Sequence, residues 1–202
     1  MSSKNKNSTR KTKNTSASGF RLSGTQIAVG LISLGLVTLV AVVIYGSGVG
    51  QPPKISALDE GVTEFHYSDG QHQEGLMAYD LIPPAGGKHN PRWQNCGVYD
   101  LPIASELAVH SLEHGAVWIT YQPDLAASEV IRLQTITRQT QYRLLSPFPN
   151  LPSPIVVSAW GYQLKLNKAD DPRLMQFIKK YEQNPLGPEP GAVCAGGIGT
   201  PK

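Results

Sequence analysis

Cysteine is scarce in this chain: Cys96 and Cys194 are the only two among 202 residues. They do not form a C-x-x-C, which argues against a thioredoxin-type redox pair. No acidic residue precedes Asp59, and no charge of either sign falls between Arg21 and Lys54. No internal repeat is present, so an array of stacked repeats is excluded. The basic N-terminal arm has no aromatic residue except Phe20 among its charges. A segment that binds nucleic acid would interleave rings able to stack on bases. No nucleic-acid partner is therefore expected.

The uncharged stretch has a positive meaning. Residues 25–45 read TQIAVGLISLGLVTLVAVVIY. About twenty apolar residues, at about 1.5 Å each, cross the ~30 Å hydrocarbon core of a bilayer. Residues 1–24 carry Lys4, Lys6, Arg10, Lys11, Lys13 and Arg21 and no acid. The positive-inside rule keeps that arm in the cytoplasm and sends Gly46 onward to the far side. A cleaved signal peptide is the rival, with an apolar core of about 7–15 residues ending at a small-x-small site. Here the core is longer, and Gly46-Ser47-Gly48-Val49-Gly50 offers no such site. We expect an uncleaved single-pass anchor in the cell membrane, a disordered cytoplasmic arm over 1–24 and a tether over 46–60. Gly30, Ser33, Gly35 and Thr38 are small residues of the span that suit packing on a partner helix in a larger membrane complex.

The arm distorts the charge balance. It holds six of the 18 basic residues and leaves 12 against 15 acidic groups, so the remainder is at −3. Nothing there seeks an anionic partner. The two cysteines lie in a compartment that permits disulfides. A bridge between them closes a loop worth about 4–5 kcal/mol in the chain-entropy model. The alternative is that one or both serve as thiolates on a metal.

Residues 61–199 are enough for one domain. Strands are expected at Val62–Tyr67, Gly75–Ile82, Ala116–Tyr121, Tyr142–Leu145, Ile155–Trp160 and Tyr162–Leu166. The last two pivot at Gly161, as one bent strand or a tight hairpin. Ala85–Tyr99 and Pro147–Pro154 carry turn residues throughout and are expected to be loops. A short helix is expected over Ile103–His114, with Ser105 as a cap and Gly115 just past its end. Two main helices are expected over Leu125–Gln139 and Asp171–Gln183. The tail Pro185–Lys202 is expected to be extended. This mixture lacks a regular βαβ rhythm. It points to an α+β fold, a small and largely antiparallel sheet with the two main helices on one face, behind one N-terminal transmembrane helix.

The densest chemistry lies in Val109-His110-Ser111-Leu112-Glu113-His114-Gly115. Two histidines four apart share a helix face, the spacing at which one helix gives two imidazoles to a metal. His89 follows two glycines, which let the backbone bend and bring a third imidazole close. Glu113, Glu106 or a cysteine would supply a fourth group or orient a ring. Imidazole donors suit copper or zinc. The competing reading is structural. There the histidines cap the last helical carbonyls, Glu113 pairs with Arg92 or Lys88, and His66 and His72 lie on the surface. The tryptophans Trp93, Trp118 and Trp160 are expected to pack the core and a lid over it. The letters H-x-x-E-H also occur in a class of zinc peptidases. That chemistry needs a long active-site helix, whereas Gly115 and a strand follow here at once. No catalytic residue and no enzyme activity are expected.

Several motifs together resemble a bacterial family of single-span membrane proteins catalogued as a domain of unknown function. They are Pro83-Pro84-Ala85-Gly86-Gly87-Lys88-His89, Trp93, Gly97-Val98-Tyr99, Glu106, the HSLEHG core at 110–115, Tyr121-Gln122-Pro123, Trp160-Gly161 and Pro188-Glu189-Pro190-Gly191-Ala192-Val193-Cys194. The resemblance runs over about residues 60–198. Gly86 stands where the family usually carries serine. The resemblance implies fold and topology more than activity, and it singles out His89, His110, Glu113 and His114. Two functions follow: an extracytoplasmic domain that holds copper or zinc through His89, His110, His114 and Glu113, or a non-catalytic accessory subunit of a membrane complex whose histidines are structural.

Overall fold

The run Val117–Tyr121 is apolar at every position but Thr120 and is buried along its whole length. A strand of that kind belongs in the interior of a sheet covered on both faces. Its side chains divide by alternation: Val117, Ile119 and Tyr121 enter one core and Trp118 enters another. The computed structural model describes residues 60–202 apart from Asp69 and Leu186. The expected arm, membrane span and all of the tether but its last residue lie outside the described residues. Among the described residues no helix is long and apolar enough to cross a membrane.

In chain order the elements are β1 (Val62–Glu64), β2 (Gly97–Val98), α1 (Ser105–Glu113), β3 (Val117–Tyr121), α2 (Ala127–Thr137), β4 (Arg143–Pro147), β5 (Ile155–Ala159), β6 (Tyr162–Leu166) and α3 (Pro172–Tyr181). The strands form one sheet in the order β1-β6-β5-β3-β4-β2. The α+β class holds, but the sheet is mixed rather than largely antiparallel. β3 pairs with β4 in parallel, as β4 does with β2, while β3–β5, β5–β6 and β6–β1 are antiparallel. The cause is the connection. A parallel neighbour requires a crossover, and α2 carries the chain from the end of β3 back to the start of β4.

α2 and α3 pack on one face, as expected, through Leu133, Leu174, Phe177, Ile178 and Tyr181. α1 is a third helix on the opposite face, where Ala108 and Leu112 meet Trp118, Leu144 and Cys194. α3 starts with Asp171 accepting the Arg173 N–H at 2.9 Å, and Pro172 follows at the first helical position. Ser105 does not cap α1. Ala104 occupies the N-cap position, and no side chain caps that end. The other end follows the expectation. Gly115 (φ +93°) donates its N–H to Leu112 O at 2.9 Å, and Ala116 donates to Ser111 O at 3.0 Å. This pair of bonds is a Schellman turn, which needs a left-handed residue at Gly115. A Cβ there would also stand 2.9 Å from Gln183 Cα.

Other expectations change. β5 and β6 form a tight hairpin across Trp160-Gly161, with Ala159 opposite Tyr162. Val62–Tyr67 is a strand only to Glu64. Gly75–Ile82 is not a strand. Its Leu76 is 93% exposed, and the segment is pinned instead by Met77 N–H on Glu106 Oε1 (2.8 Å) and Tyr79 OH on Lys88 O (2.7 Å). β2 went unread because two residues show no periodicity. Cys96 and Cys194 form a disulfide, with Cα atoms 5.4 Å apart, so neither is a thiolate on a metal.

Phe177 is fully buried where α3 meets the sheet. Phe177→Ala is expected to cost about 3–5 kcal/mol, measured as a lower urea midpoint with an unchanged slope. A loss below about 1 kcal/mol would contradict this account of the core.

Candidate metal centre

α1 is buried almost all round: Glu106 and every residue from Ala108 to Glu113 are buried. Its polar side chains must therefore find partners inside the protein. Ser111 Oγ donates to Gln94 O at 2.7 Å. Glu106 accepts from Met77 N–H and takes no part in the histidine cluster described below. His110 and Glu113, three apart, face the chain segments that cross the helix.

Two such segments matter. The first is the Pro83–His89 run, held by the β5–β6 hairpin. Gly161 N–H donates to Ala85 O at 2.7 Å, and Gln163 Nε2 donates to Pro83 O at 2.9 Å. Gly86 and Gly87, at φ +149° and +97°, then turn the chain against the Tyr67 ring. A Cβ on Gly86 would sit 2.8 Å from Tyr67 Cε2, so any larger residue has no room here unless Tyr67 moves. The second segment is Gln71–Gln73, which pairs with His89. Gln73 N–H donates to His89 O at 2.7 Å, and His89 N–H to Gln71 O at 3.1 Å.

These contacts assemble His72, His89, His110 and Glu113, whose candidate ligand atoms all lie within 4.8 Å of one another. Three of the four were expected. His72 was expected on the surface. Its side chain is 39% exposed, yet its ring stacks on His110 with centroids 5.0 Å apart, and its Nε2 lies 3.4 Å from Glu113 Oε2. It sits in a polar run, Gln71-His72-Gln73-Glu74, with no spacing that ties it to α1. Only the bridge to His89 brings it in. His114 does not join this group of four. It faces His110 alone, Nε2 to Nε2 at 3.0 Å, and its Nε2 also lies 3.6 Å from Glu189 Oε2. Trp93 covers both rings, at centroid distances of 5.7 and 5.1 Å. Glu113 pairs with neither Arg92 nor Lys88. Its partners are His89 Nε2 at 2.7 Å, His72 and the Gly70 N–H at 3.0 Å, because α1 presents it inward rather than to the surface lysine and arginine.

Backbone carbonyls set the tautomers. His89 Nδ1–H donates to Gly87 O (2.8 Å), His110 Nδ1–H to Asn90 O (2.7 Å) and His114 Nδ1–H to Val193 O (2.7 Å). A carbonyl only accepts, so each Nδ1 must carry the hydrogen. Each Nε2 is then left facing the interior of the cluster. His110 and His114 as neutral rings would point two lone pairs at each other across 3.0 Å. Only a proton or a metal cation can fill that gap. His89 meets acceptors at both nitrogens, which without a metal makes it a cation.

The electrostatics agree. Burial alone would pull His89 down, but its bonds to Glu113 and Gly87 O outweigh that and raise its pKa. Burial drives His110 down to about 4, helped by the neighbouring His114 and His89 and opposed by the bond to Asn90 O. Burial would raise Glu113, yet the bonds from His89 and Gly70 and the charges of His89 and His110 bring it to about 2. A permanent carboxylate beside a His110 ring that resists protonation suits a cation, whereas His89 must give up its proton before its Nε2 can bind one.

Residues 71–196 match the family described as Protein of unknown function (DUF3105). The chain belongs to this family. No curated protein and no solved structure matches it. The DUF3105 stretch contains the whole cluster, His114, Glu189 and both cysteines, and it leaves out the exposed His66.

In protein stripped of metal, stability should depend on pH with a definite sign. His110 has a folded pKa of about 4 against 6.5 for the free group, so its contribution is present above 6.5 and lost as pH falls toward 4. Glu113, at about 2 against 4.5, loses its contribution as pH falls from 4.5 to 2. His89 works the other way: its contribution is present below 6.5 and fades as pH rises through its elevated pKa. Thermal midpoints are expected to drop on acidification below about pH 6.5, and His110→Asn should flatten that limb. An unaltered acid limb in the variant would count against the assignment.

Proposed function

We propose that this protein is a membrane-anchored extracytoplasmic domain that binds copper or zinc through its histidine cluster, without catalysis. The carrying observation is the fixed tautomer pattern. Three rings surrender Nδ1–H to backbone carbonyls, so three Nε2 atoms remain for a metal, beside a buried carboxylate. Histidine ligands are held in this way by carbonyls and carboxylates in metal sites generally. His72, His89, His110 and Glu113 form the ligand set, and His114 adds to it through its contact with His110. Two donors bonded at about 2.0–2.1 Å to one ion can lie 3.0 Å apart. The donors are nitrogen and oxygen, and the sulfurs of Cys96 and Cys194 are occupied with each other. This chemistry suits zinc or divalent copper better than cuprous ion. The apolar run at 25–45 and the basic arm before it support the anchor and the outward position of the domain.

A second reading is favoured by the His89–Glu113 pair. With Gly70 it satisfies the buried carboxylate without any ion. In that reading the domain is an accessory subunit of a membrane complex, and the cluster is a structural clasp.

Full-length protein in detergent, loaded with Zn(II) or Cu(II) and desalted, is expected to retain a stoichiometric amount of ion. At an ion concentration 100-fold above Kd, binding should add about 2.7 kcal/mol of stability. His110→Ala should weaken binding by more than the ~10–100-fold seen when only a supporting partner is lost. Protein that retains neither ion, and unfolds at the same temperature with or without chelator, would leave only the accessory-subunit reading.

A further inference from the structure

The tail past α3 does more than close the chain. Three hydrogen bonds fasten residues 189–194 across the end of α1. Glu189 N–H donates to Glu113 O (3.1 Å), Gly191 N–H donates to His114 O (3.1 Å), and His114 Nδ1–H donates to Val193 O (2.7 Å). The Glu189 carboxylate also lies near the ring, with Oε2 3.6 Å from His114 Nε2. The first two carbonyls belong to a helix C-terminus, which has no partner of its own to offer them. The strap supplies those partners.

The strap has one covalent anchor, and it lies next to these bonds. Cys194 is joined to Cys96, and Cys96 N–H donates to Cys194 O at 2.8 Å. Residues 94–96 are themselves fixed to α1: Gln94 N–H donates to Leu107 O at 3.1 Å, and Gln94 O accepts from Ser111 Oγ at 2.7 Å. The disulfide therefore sits one residue from the carbonyl that fixes the tautomer of His114. His72, His89 and His110 have no such dependence. Gly87 O and Asn90 O hold the Nδ1–H groups of His89 and His110, and Gly70 O holds the His72 N–H; none of these carbonyls belongs to the strap. The exposure of the strap sharpens the contrast, because Val193 is 63% exposed and the Glu189 side chain 54%. Apolar burial contributes little to holding it.

We propose that the Cys96–Cys194 disulfide is a positioning device for the metal centre: it holds the 189–194 strap so that Val193 O keeps His114 aimed at the ion held by His110. Metal affinity then depends on oxidative folding of the domain. The inference rests on the metal reading above. It assigns Cys96 and Cys194 a function in the site although neither is in the group of four.

The test compares full-length wild type with the Cys96→Ser/Cys194→Ser double variant, by competitive Zn(II) titration and by electron paramagnetic resonance of bound Cu(II). The double variant is expected to bind zinc about 10–100-fold more weakly, the usual effect of losing an outer partner of a histidine ligand. Its copper signal should show one nitrogen donor fewer, which a general loss of stability would not produce. In a His114→Gln background the disulfide should no longer alter affinity. Equal affinity and equal nitrogen count in wild type and double variant would overturn the proposal and leave the metal reading standing. Wild type that binds no ion would overturn both.

Should the double variant fail to fold, the wild type carries the test by linkage. An ion that binds tighter to the bridged form must resist loss of the bridge. Two glutathione thiols reduce the bond at equilibrium, leaving as one oxidised glutathione while their hydrogens complete the two protein thiols. In a glutathione buffer of fixed potential, Zn(II) at a buffered free concentration is expected to raise the bridged fraction in wild type but not in His114→Gln. Equal bridged fractions with and without zinc in wild type, or a rise that persists in His114→Gln, would overturn the proposal.

Discussion

A carboxylate that is 1% exposed governs the arrangement of this domain. Glu113 ends a helix that is buried nearly all round, and an unpaired charge there would cost several kcal/mol. The chain answers with Gly70 N–H on one oxygen and His89 and His72 on the other. Each answer recruits a segment. Gly70 and His72 bring in the stretch before the irregular Gly75–Ile82 loop, and His89 brings in the glycine-turned Pro83–His89 run. Without the charge each segment would lose its bond to Glu113 and keep only its other ties, such as Asn90 O on His110 and Met77 N–H on Glu106. The imidazoles gather because the carboxylate must be neutralised, and their gathering makes a site for a cation.

The sheet provides what the carboxylate cannot. β3 lies inside the sheet, and the Schellman turn at Gly115 leads from α1 straight into it, so the end of α1 is fixed relative to the core. The β5–β6 hairpin holds Pro83 and Ala85 by two bonds, which sets the height of His89. On the far side α2 and α3 fill the larger core. The domain thus separates its labours: one face of the sheet for stability, the other for the cluster. A cluster built on rigid elements and supported by second partners holds a fixed geometry.

The metal and structural readings share every distance in the cluster and differ in one particular. A purely structural histidine pair has no need to point two acceptor nitrogens at each other. His110 and His114 do so at 3.0 Å, each committed at Nδ1 to a carbonyl. The Glu113 pairing alone would serve as a clasp, whereas the His110–His114 pairing is left wanting a positive centre. That difference is what favours the metal reading over the clasp.

Much of this was legible in the chain before any fold was known. The α+β class, the buried strand at Ala116–Tyr121, the inward faces of α2 and α3, the stop at Gly115 and the pairing of Cys96 with Cys194 all follow from local periodicity, turn chemistry and counting. So does the presence of His89, His110 and Glu113 in one site, because spacing along a helix and two glycines before a histidine are local signals. Local signals end where contact depends on how distant segments cross. The parallel pairing of β3 and β4, the two-residue β2, the fate of Gly75–Ile82 and the entry of His72 were decided by tertiary structure. The physical reason is the same in each case: a backbone hydrogen bond or a buried charge chooses its partner in space. Nothing in Gln71-His72-Gln73 announces that it will be used to satisfy a carboxylate 41 residues away.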